Sequence, residues 1–403
     1  MEYLPSGLVL PGIVHRGKNE NDHVGCRMSR PLRWGMIGGG EGAFIGAVHR
    51  MAARVDGRYQ LIAAVPSSDP EKGRRSGIAL GLAADRVYPT VEALVAGEAR
   101  RPDGVEVVSV VTPNHMHYSQ SAALLEAGLD VICDKPLTTT LADAEKLLAL
   151  ASAKQRLLGV TFNYTGYPMV RLARSLIAAG DFGKLRVVQV EYPQGWLATA
   201  LEKTGQKQAT WRTDPKQAGA GALGDIGSHA FQLAEFVTGQ QVVELMADVS
   251  AIVPGRAIDD NVNVLLRFGN GARGSLWASQ VAIGHLNSLC LRVYCEEGSL
   301  QWKQESPEEL LATRAGEAPR LMRRGDPGTP TSSVGLPGGH PEGFIEAFSQ
   351  LYTDFAEQVS ARLEKREPAT SAMIAPNVVT GTRVMAFIEA VLKSGQQSAW
   401  RKI

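Results

Sequence analysis

The stretch Leu32-Arg33-Trp34-Gly35-Met36-Ile37-Gly38-Gly39-Gly40-Glu41-Gly42-Ala43-Phe44-Ile45, running on into Ala47-Val48-His49-Arg50-Met51-Ala52, decides the fold. Its first six residues read as a short apolar strand and its last as a helix, with a glycine cluster between them. Gly38, Gly40 and Ala43 carry G-x-G-x-x-A spacing. Residues without a Cβ permit a tight turn and let the backbone approach a pyrophosphate, while the helix N-terminus supplies N–H groups and partial positive charge. Gly38, Gly40, Gly42, Ala43, Phe44 and Ile45 are therefore expected to bind a dinucleotide.

Working outward, strand-like runs at 61–65, 105–111, 130–133 and 157–162 alternate with helical patterns at 91–97, 115–129 and 142–154. That alternation predicts an α/β fold: an N-terminal Rossmann domain over 32–160 with a doubly wound parallel sheet. After Gly183 the alternation stops. Runs at 185–192, 242–250, 261–268, 272–283 and 288–295 read as strands joined by turns, with an Asn270-Gly271 hairpin signal. A C-terminal α+β domain over 161–403, with a large, mostly antiparallel open sheet, is expected. Residues 323–341 read as a Gly- and Pro-rich surface loop, and 343–363 and 374–392 as closing helices. Residues 1–31 read as a flexible extension, with Met28 an alternative start of translation.

Composition bounds the function. The 403 residues fit two or three domains at roughly 150 residues each. Lys+Arg number 42 against 41 Asp+Glu, so no basic field is available to hold a nucleic acid. No apolar run is long enough for a membrane span. Four cysteines without a CxxC pair exclude a disulfide framework and a Cys-rich zinc module, so a cytoplasmic setting is the expectation.

The acid that usually holds the adenosine ribose is missing from the tip of the second strand, Val65-Pro66-Ser67-Ser68-Asp69. Ser67, Ser68, Lys72 and Arg74 suit a 2′-phosphate and Asp69 suits a ribose, so the residues leave NAD and NADP open. Thr112-Pro113-Asn114-His115-Met116-His117 and Asp134-Lys135-Pro136 then close two parallel strands, at the edge where open α/β sheets bind ligands. Gly224-Asp225-Ile226-Gly227-Ser228-His229 opens a helix in the second domain. His115 and His117 lack a third ligand, so no metal is expected.

In order and spacing this set resembles the Gfo/Idh/MocA oxidoreductases, named for glucose-fructose oxidoreductase and inositol dehydrogenase. The resemblance spans residues ~32–395 and rests on a glycine turn, T-P-N-x-x-H, E-K-P and D-x-G-x-x-H segments. This chain departs from it at Asp134, where the family carries glutamate; the charge is kept and the reach is one methylene shorter. The resemblance implies that Lys135, Asp225 and His229 are catalytic. It further implies that Thr112, Pro113, Asn114, His117, Asp134, Lys135, Pro136 and Asn163 border NAD or NADP. Independently, oxidising a secondary alcohol needs a base, and a histidine serves at neutral pH.

Tyr164, Trp211, Arg212 and His340 join Lys135, Asp225 and His229 as expected substrate contacts; Asn163, Tyr167 and Trp196 are further polar types suited to a sugar or cyclitol. The expected reaction moves a hydride between nicotinamide and a secondary hydroxyl. A glycosidase using transient NAD oxidation needs the same residues, and a non-catalytic sugar sensor would have no use for all three. The resemblance also implies a homodimer or homotetramer through the C-terminal sheet, with Leu185, Val187, Leu265, Leu276 and Val281 expected on the face that a second copy covers.

Overall fold

Trp34, Met36 and Ile37 are buried on a strand that has a parallel neighbour on each side. The computed structural model describes residues 30–330 and 334–403; the extension expected over 1–31, apart from Arg30 and Pro31, and the start at Met28 lie outside them. The first half runs β1 Leu32–Gly38, α1 Phe44–Arg54, β2 Tyr59–Val65, α2 Pro70–Ala79, α3 Val91–Glu98, β3 Val107–Val111, α4 His117–Glu126, β4 Asp130–Cys133, α5 Leu141–Lys154 and β5 Leu158–Val160. Its strands form a parallel sheet in the order β2-β1-β3-β4-β5. All five residues of β3 are buried, as expected of a central parallel strand covered on both faces.

The chain continues with α6 Pro168–Ala178, β6 Leu185–Pro193, α7 Lys207–Arg212, α8 Pro215–Ala218 and α9 Ser228–Thr238. Next come β7 Val242–Ser250, β8 Asn261–Phe268, β9 Arg273–Ser279, β10 Cys290–Cys295, β11 Gly298–Lys303, β12 Glu309–Arg314 and β13 Arg320–Arg323. It ends with α10 Phe344–Glu364, α11 Val378–Gln397 and β14 Arg401–Lys402. Among the described residues, a second sheet takes the order β13-β12-β11-β10-β6-β9-β8-β7-β14. Only the β6–β9 pair in it is parallel. The α/β class and the large, mostly antiparallel open sheet are thus present as read from the sequence.

Helices α6 and α9 cover one face of the second sheet. Alternation then sorts each strand: Val262, Val264, Leu266 and Phe268 of β8 are buried, while Leu265 is 55% exposed on the open face with Val187 at 39%. Leu276 corrects the expectation that it shares that face. It pairs with Val190 and Val264, points to the helices and is 1% exposed. Leu265 pairs instead with Ser275, so one step of register separates the two leucines onto opposite faces. Leu185 and Val281 are half-buried, the latter beyond the end of β9.

Helix α10 returns to the first sheet rather than staying with the second. Its Tyr352 packs edge-on against Trp34 of β1 and Tyr59 of β2, and Tyr59 donates through its hydroxyl to the Tyr352 carbonyl at 2.8 Å. Helix α11 spans between the layers: its Thr382 donates to Ala144 of α5, and its Phe387 ring stacks on Phe231 of α9 at 4.0 Å. Both stacked rings are fully buried, so Phe387→Ala should lower unfolding free energy by about 3–5 kcal/mol, read from the midpoint of urea unfolding.

Candidate active site

The carboxyl ends of β1, β3 and β4 lie along one edge of the parallel sheet and present the glycine turn, Thr112 and Lys135 in adjacent rows. At the turn the backbone comes as close as it can: a Cβ on Gly46 would sit 2.2 Å from the Gly39 Cα. Gly40 donates its N–H to the Pro66 carbonyl at 3.1 Å, and a Cβ there would meet that oxygen at 2.6 Å. Arg50 braces the loop by donating to the Gly39 carbonyl at 2.6 Å. Beside it lies a cleft of about 680 Å³, lined by Gly39 to Phe44, Arg50, Arg75 and Leu80 among others. Phe44 is exposed there and Ile45 half-buried. A cradle of this kind, at a helix N-terminus, fits a dinucleotide pyrophosphate.

At the tip of β2, Ser67 accepts from the Asp69 N–H and the Asp69 carboxylate accepts from the Lys72 N–H. Asp69 is thereby the N-cap of α2, and its oxygen already serves the helix. Ser68 is exposed nearby and Lys72 is half-buried.

Behind the wall formed by the next strand ends, the expected cofactor residues do different work. Thr112 donates to Gln120, and Asn114 donates to the Ala218 carbonyl at 3.1 Å. Both ring nitrogens of His117 face carbonyls, Nδ1 that of Pro136 at 2.9 Å and Nε2 that of Thr112 at 2.8 Å. The ring is fully buried, and it ties the two strand ends together rather than lining the cleft. The Asp134 carboxylate also turns inward, accepting from Thr161 Oγ1 at 2.6 Å.

Lys135 points the other way. Its Nζ donates to the Asp225 carbonyl at 2.7 Å and to Asp225 Oδ1 at 2.8 Å. Residues Leu223–Gly227 form a π-helical turn before α9, an irregularity common at functional sites. Asp225 Oδ2 accepts from Gln280 Nε2 at 2.9 Å and lies 3.5 Å from Arg212 Nε. Burial would raise the Asp225 pKa, but the charges of Lys135 and Arg212 outweigh it and hold the carboxyl well below the usual range.

His229, one turn on, is buried with Nδ1 lacking a partner among the described residues. Phe162, Tyr164 and Tyr192 surround its ring, Tyr164 edge-on at 4.8 Å. Burial, and then the Lys135 charge, push its imidazole well below the ordinary histidine pKa, so the ring is neutral at pH 7. The Tyr164 and Tyr192 hydroxyls bond each other, and Tyr192 donates to Asn287 Oδ1 at 2.6 Å.

The structure therefore gathers Lys135, Asp225, His229, Arg212 and Tyr164. Trp211 joins at one remove, under the Arg212 guanidinium at 4.3 Å. Asn163 is buried with Nδ2 unpartnered among the described residues, and Pro136 is buried. His340 is exposed in the loop after β13, and no hydrogen bond, ion pair or ring contact joins its side chain to this cluster.

Comparison with known proteins identifies the family. Residues 32–162 match the model of an oxidoreductase family with an NAD-binding Rossmann fold, and residues 170–301 match the GFO/IDH/MocA C-terminal domain. The chain belongs to the GFO/IDH/MocA oxidoreductases. An uncharacterised oxidoreductase of Bacillus subtilis, YfiI, is 35% identical across 93% of this chain and 97% of its own. An inositol dehydrogenase homologue from Azotobacter vinelandii, solved with NAD+, superposes with a TM-score of 0.88 at 36% identity, covering 94% of this chain and 98% of that one. Levoglucosan dehydrogenase, solved with NADH and levoglucosan, gives a TM-score of 0.77 at 27% identity, covering 93% and 100%.

Within this GFO/IDH/MocA chain, sequence reasoning missed Gln280, Tyr192 and Asn287. Gln280 ends an apolar strand pattern and Tyr192 fits a strand equally well without a role, so neither stands out in the sequence. A Val side chain at Gly40 would collide with the Pro66 carbonyl and with Ser76 Oγ. Gly40→Val should leave a folded protein that no longer binds NAD, measured by titration calorimetry; unchanged affinity would reject the cradle.

Proposed function

We propose that this oxidoreductase moves a hydride between NAD and a secondary hydroxyl of a sugar, sugar derivative or cyclitol, with Lys135, Asp225 and His229 as catalytic residues. The observation that carries the reading is the convergence of the Lys135 ammonium, the ionised Asp225 carboxylate and the neutral His229 ring at the carboxyl edge of the NAD-binding sheet. When bound, the dinucleotide supplies the hydride acceptor. The glycine turn and the Thr112 and Lys135 strand ends hold it.

Lys135 Nζ donates to the substrate hydroxyl oxygen and favours its developing negative charge. His229 accepts the hydroxyl proton at Nε2, since Nδ1 is sealed in the interior. Asp225 holds the ammonium in place through two hydrogen bonds. The ring nitrogen takes a proton without first losing one, because burial keeps it neutral. Arg212, Gln280, Tyr164, Tyr192 and Asn287 give the polar wall that several hydroxyls require. The A. vinelandii homologue solved with NADH and myo-inositol, and the levoglucosan dehydrogenase, support a polyol substrate. Free, buried Cys133, Cys290 and Cys295 suit a reducing cytoplasm.

A second copy of the chain, we further propose, covers the open face of the nine-stranded sheet. A trough of about 430 Å³ lined by Met246, Leu265 and Trp277 lies there, beside Arg292 and Glu191. Light scattering should return a multiple of the 43.2 kDa chain; a stable monomer would reject this interface.

Incubation with NAD and a panel of sugars and cyclitols should produce absorbance of the reduced cofactor. Lys135→Met and His229→Ala should each lower turnover by roughly two to four orders of magnitude while sparing NAD affinity. The wild-type rate should fall on acidification only well below pH 6.5, as the His229 ring gains its proton, and His229→Ala should lack that limb. Near-native turnover in both variants would overturn the assignment.

A further inference from the structure

A line of buried polar side chains runs from the core of the first sheet to the back of Lys135. Trp34 Nε1 donates to Ser109 Oγ at 2.8 Å, Ser109 Oγ lies 2.8 Å from the Tyr352 hydroxyl, and that hydroxyl lies 2.7 Å from His49 Nδ1. His49 Nε2 faces Asp134 Oδ1 across 3.7 Å. That separation is electrostatic contact rather than a hydrogen bond, and Nε2 has no closer partner among the described residues. Four elements contribute: β1, β3, α10 and α1.

The donor inventory gives the line a direction. An indole N–H can only donate, so Ser109 Oγ accepts from Trp34. Among the described residues the serine hydrogen then has one acceptor within reach, the Tyr352 oxygen. Burial raises the Tyr352 pKa, so its hydroxyl keeps its hydrogen, and that hydrogen must go to His49 Nδ1. An Nδ1 that accepts leaves the imidazole hydrogen on Nε2, aimed at Asp134. Any other arrangement strands the serine hydrogen in the interior.

We propose that His49 is a positioning residue for Lys135, held by this one-way chain as the Nε2–H tautomer and turned on the Asp134 carboxylate. The claim rests on the role given to Lys135 above. Thr161 and His49 draw the Asp134 side chain inward, and the next side chain, Lys135, points the other way, to Asp225. Anchoring Asp134 inward therefore aims Lys135 outward, at Asp225. Burial works against the Asp134 charge, but His49, Lys135 and the Thr161 hydroxyl hold its carboxyl well below the usual range.

Long-range ¹⁵N–¹H correlation on histidine-labelled protein tests the chain without any substrate, the His49 signals being those lost in His49→Gln. The expected pattern is the Nε2–H tautomer in the wild type, shifting toward a tautomer mixture in Tyr352→Phe. An Nδ1–H ring, or a pattern unmoved in Tyr352→Phe, would overturn the proposal whether or not the enzyme oxidises a sugar. Turnover on the sugar or cyclitol panel supplies the second arm. Glutamine places a donor at the Nε2 position and asparagine only at that of Nδ1. His49→Gln should hence stay within about threefold of wild type, while His49→Asn loses about tenfold to hundredfold in kcat at unchanged KM for NAD. Equal losses in the two variants, tracking only their stability, would reduce His49 to a packing residue.

Discussion

A carboxylate drawn out of bulk water between two sheets must find cations or lose its charge, and the site is organised around that requirement at Asp225. Lys135 comes to it from the end of β4 and Arg212 from α7, while Gln280 takes the remaining oxygen from the end of β9. Three stretches distant in sequence are thus obliged to meet at one side chain. Because the folded pKa is depressed, this stabilisation is present at neutral pH and is lost only as strong acid protonates the carboxyl.

The backbone beneath Asp225 is held as firmly as its side chain. Asp259 accepts from the N–H groups of Gly221 and Leu223 at 2.7 Å each, and its carbonyl accepts from Ala222. Gly221 packs so tightly on Asp259 that a Cβ would lie 1.9 Å from its carbonyl oxygen. Next in the chain, Asp260 binds Arg256, whose guanidinium also reaches the carbonyls of Leu197 and Thr199. Two adjacent acids therefore secure both the start of the Asp225 turn and the strap that precedes α7.

Local rules made much of this legible. The glycine spacing and the strand–helix alternation depend on neighbours in the chain, and so did the motifs carrying Lys135, Asp225 and His229. What stayed hidden depends on register and on long-range packing. Leu276 and Leu265 look alike in sequence and face opposite ways because of one step in pairing. Strands β11 to β13 and helices α2 and α6 have no counterpart in the sequence reading. The return of α10, which brings Tyr352 to Trp34 and His49, has no local signature at all. Asp134 and His117 lie in the motif expected to border the cofactor, yet both turn to the interior. A motif identifies a strand end without saying which side chain faces the ligand.

On the proposed chemistry, the environment of His229 sets a trade. A ring whose charged form is disfavoured by burial and by a neighbouring ammonium is always ready to accept a proton, but it is a weak base. A weak base succeeds only if the alcohol proton is made easier to remove at the same moment. The Lys135 ammonium that depresses His229 is the group placed to do that, by stabilising the oxygen left behind. One charge thereby acts on both partners of the transfer, weakening the base while it acidifies the alcohol. Catalysis then depends on where Lys135 Nζ sits more than on the basicity of either group, which is why so many contacts converge on its position. Asp225 fixes the ammonium from the front, while Asp134, with Thr161 and His49, fixes its residue from behind.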